Sequence, residues 1–107
     1  DDRPNIVAEK ALELLASVKG TKIGILGVAY KANVDDCRET PADAILAYFN
    51  KAGVEVSYHD PYVPSWDCNN ISALDDMDKW ADVLILVTDH SCYKGLKFES
   101  PLLNTRS

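Results

Sequence analysis

An apolar run from Ile23 to Val28 breaks at Ala29 into a loop carrying Lys31, Asp35, Asp36 and Arg38, and the loop closes on Thr40-Pro41. An apolar stretch of about 4 to 8 residues bounded by turn residues reads as a buried strand. Thr followed by Pro reads as a helix N-cap with a first-turn residue that has no N–H to leave unsatisfied. Strand, charged loop and helix start therefore follow one another within residues 23–41. A nearly continuous apolar strand is buried on both faces, as in a parallel sheet covered by helices. Function is expected between this strand and the helix after it.

The flanking segments agree with that reading. Asn5 to Val18 puts Ile6, Val7, Ala11, Leu14, Leu15 and Val18 on one helical face, and Gly20 suits its C-terminal cap. What that face covers is open, and a segment outside the chain is one answer. The first strand is Lys22 to Val28. The helix capped by Thr40 turns Ala44, Ile45, Tyr48 and Phe49 inward and ends at Gly53. Val54 to Tyr58 is a short strand, His59-Asp60-Pro61 a turn, and Tyr62 to Asn70 a loop. Ser72 to Ala81 forms a short helix, with Asp75, Asp76 and Asp78 complementing its dipole. Asp82 to Val87 is a wholly apolar strand, Thr88 to Lys97 a polar loop or short irregular helix, and Pro101 to Leu103 a final edge strand.

Alternating strands and helices imply right-handed crossovers and a Rossmann-like α/β three-layer sandwich, with a parallel sheet of about three or four strands and helices on both faces. If the second strand flanks the first on one side and the third on the other, the winding reverses beside the C-terminal end of the first strand. Ligands bind at such a point. Tyr30, Lys31, Arg38, Asp60, His90 and Arg106 are then expected to converge on one edge.

Composition narrows the partners. With 107 residues, 47% of them hydrophobic, the chain can build one small core. Its 11 basic and 17 acidic residues give a net charge of −6, so no broad basic surface exists for nucleic acid or for an anionic membrane. A few local cations can still hold a single small anion. Cys37, Cys68 and Cys92 form no C-x-x-C pair and only His59 and His90 accompany them, so neither a disulfide framework nor a zinc site is suggested. No leader pattern and no apolar run of roughly 18 residues is present, and a soluble, cytoplasmic protein with reduced thiols is expected.

A nicotinamide dinucleotide site after a first strand uses G-x-G-x-x-G. Here Gly24 and Gly27 are followed by Val28-Ala29-Tyr30-Lys31, so the third glycine is absent, and no P-loop exists. An anion site made from Lys31, the helix N-terminus after Thr40 and Arg38 remains. Plainer readings stand beside it. Lys31 can be a solvated loop lysine, and Arg38 can pair with Asp35, Asp36 or Glu39 to stiffen the loop. Cys37 has no base beside it. Lone histidines at strand ends more often hydrogen-bond turns than act as bases, which covers His59 and His90.

Gly27-Val28-Ala29-Tyr30-Lys31, Asp36, Arg38-Glu39 and Pro41-Ala42 together resemble the signature that opens the C-terminal domain of the UDP-glucose/GDP-mannose dehydrogenase family. Tyr58 to Val63 is similar to its Y-D-P-x-V turn, Ala81-Asp82 to its A-D, and Thr88-Asp89-His90 to its T-x-H. Asn104-Thr105-Arg106 is similar to a D-T-R motif with Asn in place of Asp. The Tyr-Lys pair and Asn33 to Asp36 look closer to the UDP-N-acetylhexosamine dehydrogenases than to the GDP-mannose branch.

This resemblance implies a fragment of an enzyme that uses NAD to oxidise the C6 hydroxyl of a nucleotide sugar twice, giving a uronic acid for cell-surface polysaccharide. Residues 1–20 would be the end of a linker helix from a missing central region, and 21–107 the C-terminal nucleotide-sugar-binding domain. The NAD site lies in a missing N-terminal domain and the catalytic cysteine in the central region. None of the three cysteines here matches it, so the chain alone is expected to be inert, with no cofactor, metal or catalytic residue of its own. Tyr30, Lys31, Arg38 and Arg106 carry over as contacts to the UDP-sugar, and Asp36, Glu39 and Thr40 as loop organisers. The complete enzyme is expected to be a homo-oligomer. The competing reading is an independent α/β regulatory or protein-binding module. A receiver domain, its nearest form, needs an acidic pair directly after the first strand, whereas Asp35-Asp36 come only after Lys31.

Overall fold

The computed structural model describes residues 3–105, so Arg106 lies outside the described residues. The elements are α1 (Arg3–Ser17), β1 (Lys22–Leu26), α2 (Pro41–Ala52), β2 (Glu55–His59), β3 (Asn69–Asn70), α3 (Leu74–Trp80), β4 (Val83–Leu86), a 3₁₀ turn (Ser91–Tyr93) and β5 (Leu102–Asn104). All the strands are parallel, in the order β3-β2-β1-β4-β5. β1 is central, and Ile23 pairs with Val56 of β2 on one side and Val83 of β4 on the other. The winding therefore reverses at β1.

The sheet has five strands, one more than the pattern predicts. The addition is β3, in a segment that reads as loop because asparagine is depleted in strands and two residues show no alternation. Its pairing with β2 is reinforced by a side chain, since the Asn69 amide donates to the Ser57 hydroxyl at 3.1 Å.

Two cores cover the sheet. On one face Ile23, Ile25, Val83 and Ile85 pack with Ala8, Ala11 and Leu15 of α1 and Ala42, Ile45 and Phe49 of α2. On the other, Leu26, Leu84 and Leu86 pack with Met77 and Tyr93. Gly24 faces that second core, where a Cβ would come within 2.5 Å of Met77 Sδ, so α3 sits closer than any side chain there would permit. The apolar face of α1, whose partner the pattern leaves open, is largely used within the chain. α1 lies against α2 and β4, and the Tyr48 hydroxyl donates to Glu9 at 3.1 Å. Ile6 and Val18 remain exposed.

Two local expectations are corrected. Lys19, with φ 55°, takes the left-handed position that ends α1. Gly20 instead admits Asp82, whose Cβ would lie 2.5 Å from a Cβ added there. That closeness lets the Asp82 carboxylate accept the N–H groups of Thr21 and Lys22 and hold the start of β1 against β4. Asp75 and Asp76 do occupy the first turn of α3, but Asp78 ties down the chain before β5 by accepting the N–H groups of Glu99 and Ser100.

Candidate functional site

The loops after β1, β2 and β4 meet at the C-terminal end of the sheet, and a buried carboxylate joins them. Asp60 Oδ2 accepts the N–H groups of Val28 at 2.8 Å and Ala29 at 3.1 Å and contacts His90 Nε2 at 2.8 Å. Its Oδ1 accepts the Tyr62 N–H at 2.8 Å. The two amides it takes from the β1 loop stand where a dinucleotide fold offers backbone donors to a pyrophosphate. Gly27, at φ 82°, is packed too closely for any Cβ, which would lie 2.3 Å from the Thr88 carbonyl oxygen. The end of β1 thus has its anion already in place.

Asp60 also defines the chemistry of His90. The Asn33 N–H donates to His90 Nδ1 at 2.8 Å, so the ring proton is on Nε2 and points to Asp60. His90 is completely buried, with the Tyr62 ring 4.8 Å away. Both nitrogens are committed, which leaves no lone pair for a general base. His59 is held through one ring nitrogen. Its Nδ1 lies 2.9 Å from the Tyr93 hydroxyl, which itself donates to the His59 carbonyl oxygen. Burial lowers the His59 pKa below its ordinary value.

The outward side of the β1 loop carries the predicted ligand contacts. Tyr30 is 56% exposed, and Lys31 is exposed with no hydrogen bond or ion pair among the described residues. A groove of about 370 Å³ is lined by Tyr30, Asp36, Arg38 and Glu39. Arg38 grips Asp36 through Nε and Nη2, each at 3.0 Å, and its N–H donates to the same carboxylate. That grip lowers the Asp36 pKa to about 2. The Tyr30 N–H donates to the Asp36 carbonyl, closing the loop on itself. Thr40 caps α2 by accepting the Ala42 N–H at 3.3 Å, and its hydroxyl donates to the Ala29 carbonyl at 3.4 Å. Glu39, at φ 56°, turns the chain into that cap.

Tyr30, Lys31 and Arg38 therefore share the loop surface, while Asp60 and His90 lie beneath it as its anchors rather than beside them. Sequence reasoning missed Asn33, which adopts φ 63°, donates to His90, and exchanges two further hydrogen bonds with Ser91. Its one local signal is that asparagine tolerates the left-handed region better than other non-glycine residues. A second groove, about 360 Å³ between the starts of α1 and α2, has a mixed polar and apolar lining that includes Arg3, Ile45 and Thr105, and among the described residues it holds none of the candidates.

Residues 24–104 match the profile described as the UDP-glucose/GDP-mannose dehydrogenase family, UDP binding domain. The chain belongs to this dehydrogenase family. Among the family's curated members, the UDP-N-acetyl-D-mannosamine dehydrogenase of Methanococcus aeolicus is 37% identical over 101 residues, covering 92% of this chain but 23% of that protein. The UDP-glucose 6-dehydrogenase of Rhizobium meliloti is 28% identical over 106 residues, covering 92% of this chain and 24% of its own length. This chain thus spans about a quarter of the length of these relatives.

Of solved structures in the dehydrogenase family, the NDP-N-acetyl-D-galactosaminuronic acid dehydrogenase of Methanosarcina mazei superposes with a TM-score of 0.77 at 28% identity, covering 88% of this chain and 21% of that one. The UDP-glucose dehydrogenase of Pyrobaculum islandicum shares the fold with a TM-score of 0.83 at 23% identity, over 98% of this chain and 26% of that one. Family membership sets aside the reading as an independent regulatory module. Of the cysteines, burial pushes the Cys68 pKa up to about 12 and also raises that of Cys92, and Cys37 packs against the core.

Proposed function

We propose that this chain is the nucleotide-gripping part of an NAD-dependent UDP-sugar 6-dehydrogenase. Residues 21–107 form its C-terminal nucleotide-sugar domain, and residues 1–20 are the end of a helix arriving from a central region. The observation that carries the reading is Lys31, an exposed cation with no hydrogen bond or ion pair among the described residues, on a loop whose backbone is held from beneath by Asp60 and from within by Asp36. In a chain of net charge −6, such a cation is matched to a local anion rather than to a polyanion. The diphosphate of a UDP-sugar supplies that anion.

In this reading Lys31 holds the diphosphate, Tyr30 lies against the nucleotide sugar, and Arg38 borders the groove with one guanidinium edge committed to Asp36. Arg106 is a further contact from the chain end. NAD, held by a domain upstream, accepts hydride from the sugar C6, and a cysteine of the central region serves as nucleophile. The isolated chain is inert. The complete enzyme is a cytoplasmic homo-oligomer supplying uronic acids for polysaccharide, and the Tyr30-Lys31 pair favours an N-acetylhexosamine substrate.

A cation on the non-reacting end binds substrate and transition state alike, so it acts on KM rather than on kcat. A hydrogen bond to a charged group contributes about 1.5–3 kcal/mol, and loss of the lower figure is roughly tenfold in affinity. Lys31→Ala in the complete enzyme is expected to raise the UDP-sugar KM at least about tenfold with kcat within about twofold. Absence of UDP binding by calorimetry, or an unchanged KM in Lys31→Ala, overturns the proposal.

A further inference from the structure

The internal bonds of the β1 loop close its base but do not settle where its tip lies. The Tyr30 N–H to Asp36, the Arg38–Asp36 grip and the Thr40 hydroxyl to Ala29 all join residues of the loop or its ends to one another. The tip is tied to the body of the domain at Asn33. Its N–H donates to His90, its side-chain amide donates to Ser91 Oγ at 2.8 Å, and its Oδ1 accepts the Ser91 N–H at 2.9 Å. The Tyr62 hydroxyl adds only a long contact of 3.5 Å.

Asn33 and Ser91 are exposed, so their mutual bonds compete with water and are individually weak. The bond to His90 differs, because its acceptor is a completely buried ring held by a buried carboxylate. Had His90 carried its proton on Nδ1, two N–H groups would face each other across 2.8 Å. Asp60 prevents this by taking the Nε2 proton. One carboxylate thus sets both the start and the tip of the loop: directly at Val28 and Ala29, and through the His90 tautomer at Asn33.

We propose that His90 is a positioning residue for nucleotide binding, using Nδ1 as the acceptor that fixes Asn33 and thereby the conformation in which Tyr30 and Lys31 are presented. It touches no substrate and acts only through Asn33. This inference rests on residues 29–39 being the nucleotide loop, a reading that Lys31→Ala tests separately.

Two substitutions divide the functions of the ring. Asparagine places Oδ1 near the position of Nδ1 and keeps the acceptor for Asn33, while leaving Asp60 with its three backbone donors. Glutamine places its amide nitrogen near Nε2 and keeps the donor to Asp60, but leaves the Asn33 N–H unmatched. In the complete dehydrogenase, His90→Gln is expected to weaken UDP binding about tenfold and His90→Asn to restore it to within about threefold of wild type. In the 107-residue chain without nucleotide, the amide of Asn33 should exchange faster in His90→Gln and at the wild-type rate in His90→Asn. Should His90→Gln not fold, His90→Asn alone decides: affinity and Asn33 exchange near wild type support the acceptor role, and loss of affinity with faster Asn33 exchange overturns it.

The reverse order, with glutamine preserving and asparagine losing affinity, makes the ring a support for Asp60 and overturns the proposal. Equal affinities and equal exchange rates in both variants overturn it as well. If the wild-type enzyme binds no UDP, the nucleotide reading fails, and the exchange rates alone decide whether His90 positions the loop.

Discussion

Gly27 has little conformational freedom. Its φ of 82° favours glycine, and any Cβ would collide with the Thr88 backbone. Gly27→Ala combines a left-handed penalty of about 1 kcal/mol with displacement of β4's outgoing loop, and should destabilise the domain by at least about 2 kcal/mol in urea unfolding. An unchanged midpoint would show that the loop yields easily. The sequence displays this glycine plainly, and the missing third glycine argues against a dinucleotide turn. It cannot display why the turn is closed, because the carboxylate over the Val28 amide comes from Asp60, 32 residues away. Asn33 is illegible for the same reason: its partners His90 and Ser91 belong to another loop, and nothing local announces them.

Elements whose limits are written in neighbouring residues were readable, and α2 is the clearest. Thr40, Pro41 and Gly53 mark both ends, and the structure places the helix between them, with Gly53 at φ 75°. Thr40→Val keeps the side-chain shape and removes the hydroxyl from the Ala42 N–H and the Ala29 carbonyl. The carbonyl retains the Thr88 hydroxyl at 2.6 Å, so the expected loss is that of a cap, about 1 kcal/mol, with Thr40→Ser restoring most of it. Thermal unfolding of the pair checks this, and equal stability of Thr40→Val and wild type would refute it. β4 was readable because all four of its residues are buried and apolar. β3 was not, because two asparagines become a strand only when β2 offers them an edge. α3 begins later than Ser72 suggests, with Ala73 at its N-cap and no side chain bonded there.

Across the molecule, the buried histidine at the end of β2 makes stability depend on pH. Burial holds the His59 pKa below its ordinary 6.5, so the unfolded chain takes up a proton that the folded chain refuses. Above about pH 6.5 His59 has no effect. Below it, stability falls with pH until the folded-state pKa is passed. The urea midpoint should therefore drop between about pH 7.5 and pH 5, with a shallower slope in His59→Gln, and equal slopes would exclude His59 as the source. Asp36 acts in a separate, more acid window: the loop ordering it provides is complete above about pH 3.8 and lost as pH falls through about 2. The sheet that carries these groups is bordered by strands of two and three residues, β3 and β5. A parallel sheet five strands wide with long bare margins would offer a neighbouring molecule a row of unpaired amides to zip onto. Here both margins stop almost as soon as they begin, so copies crowded together find too little edge for strand addition, and the domain keeps its central strand deep without inviting fibres.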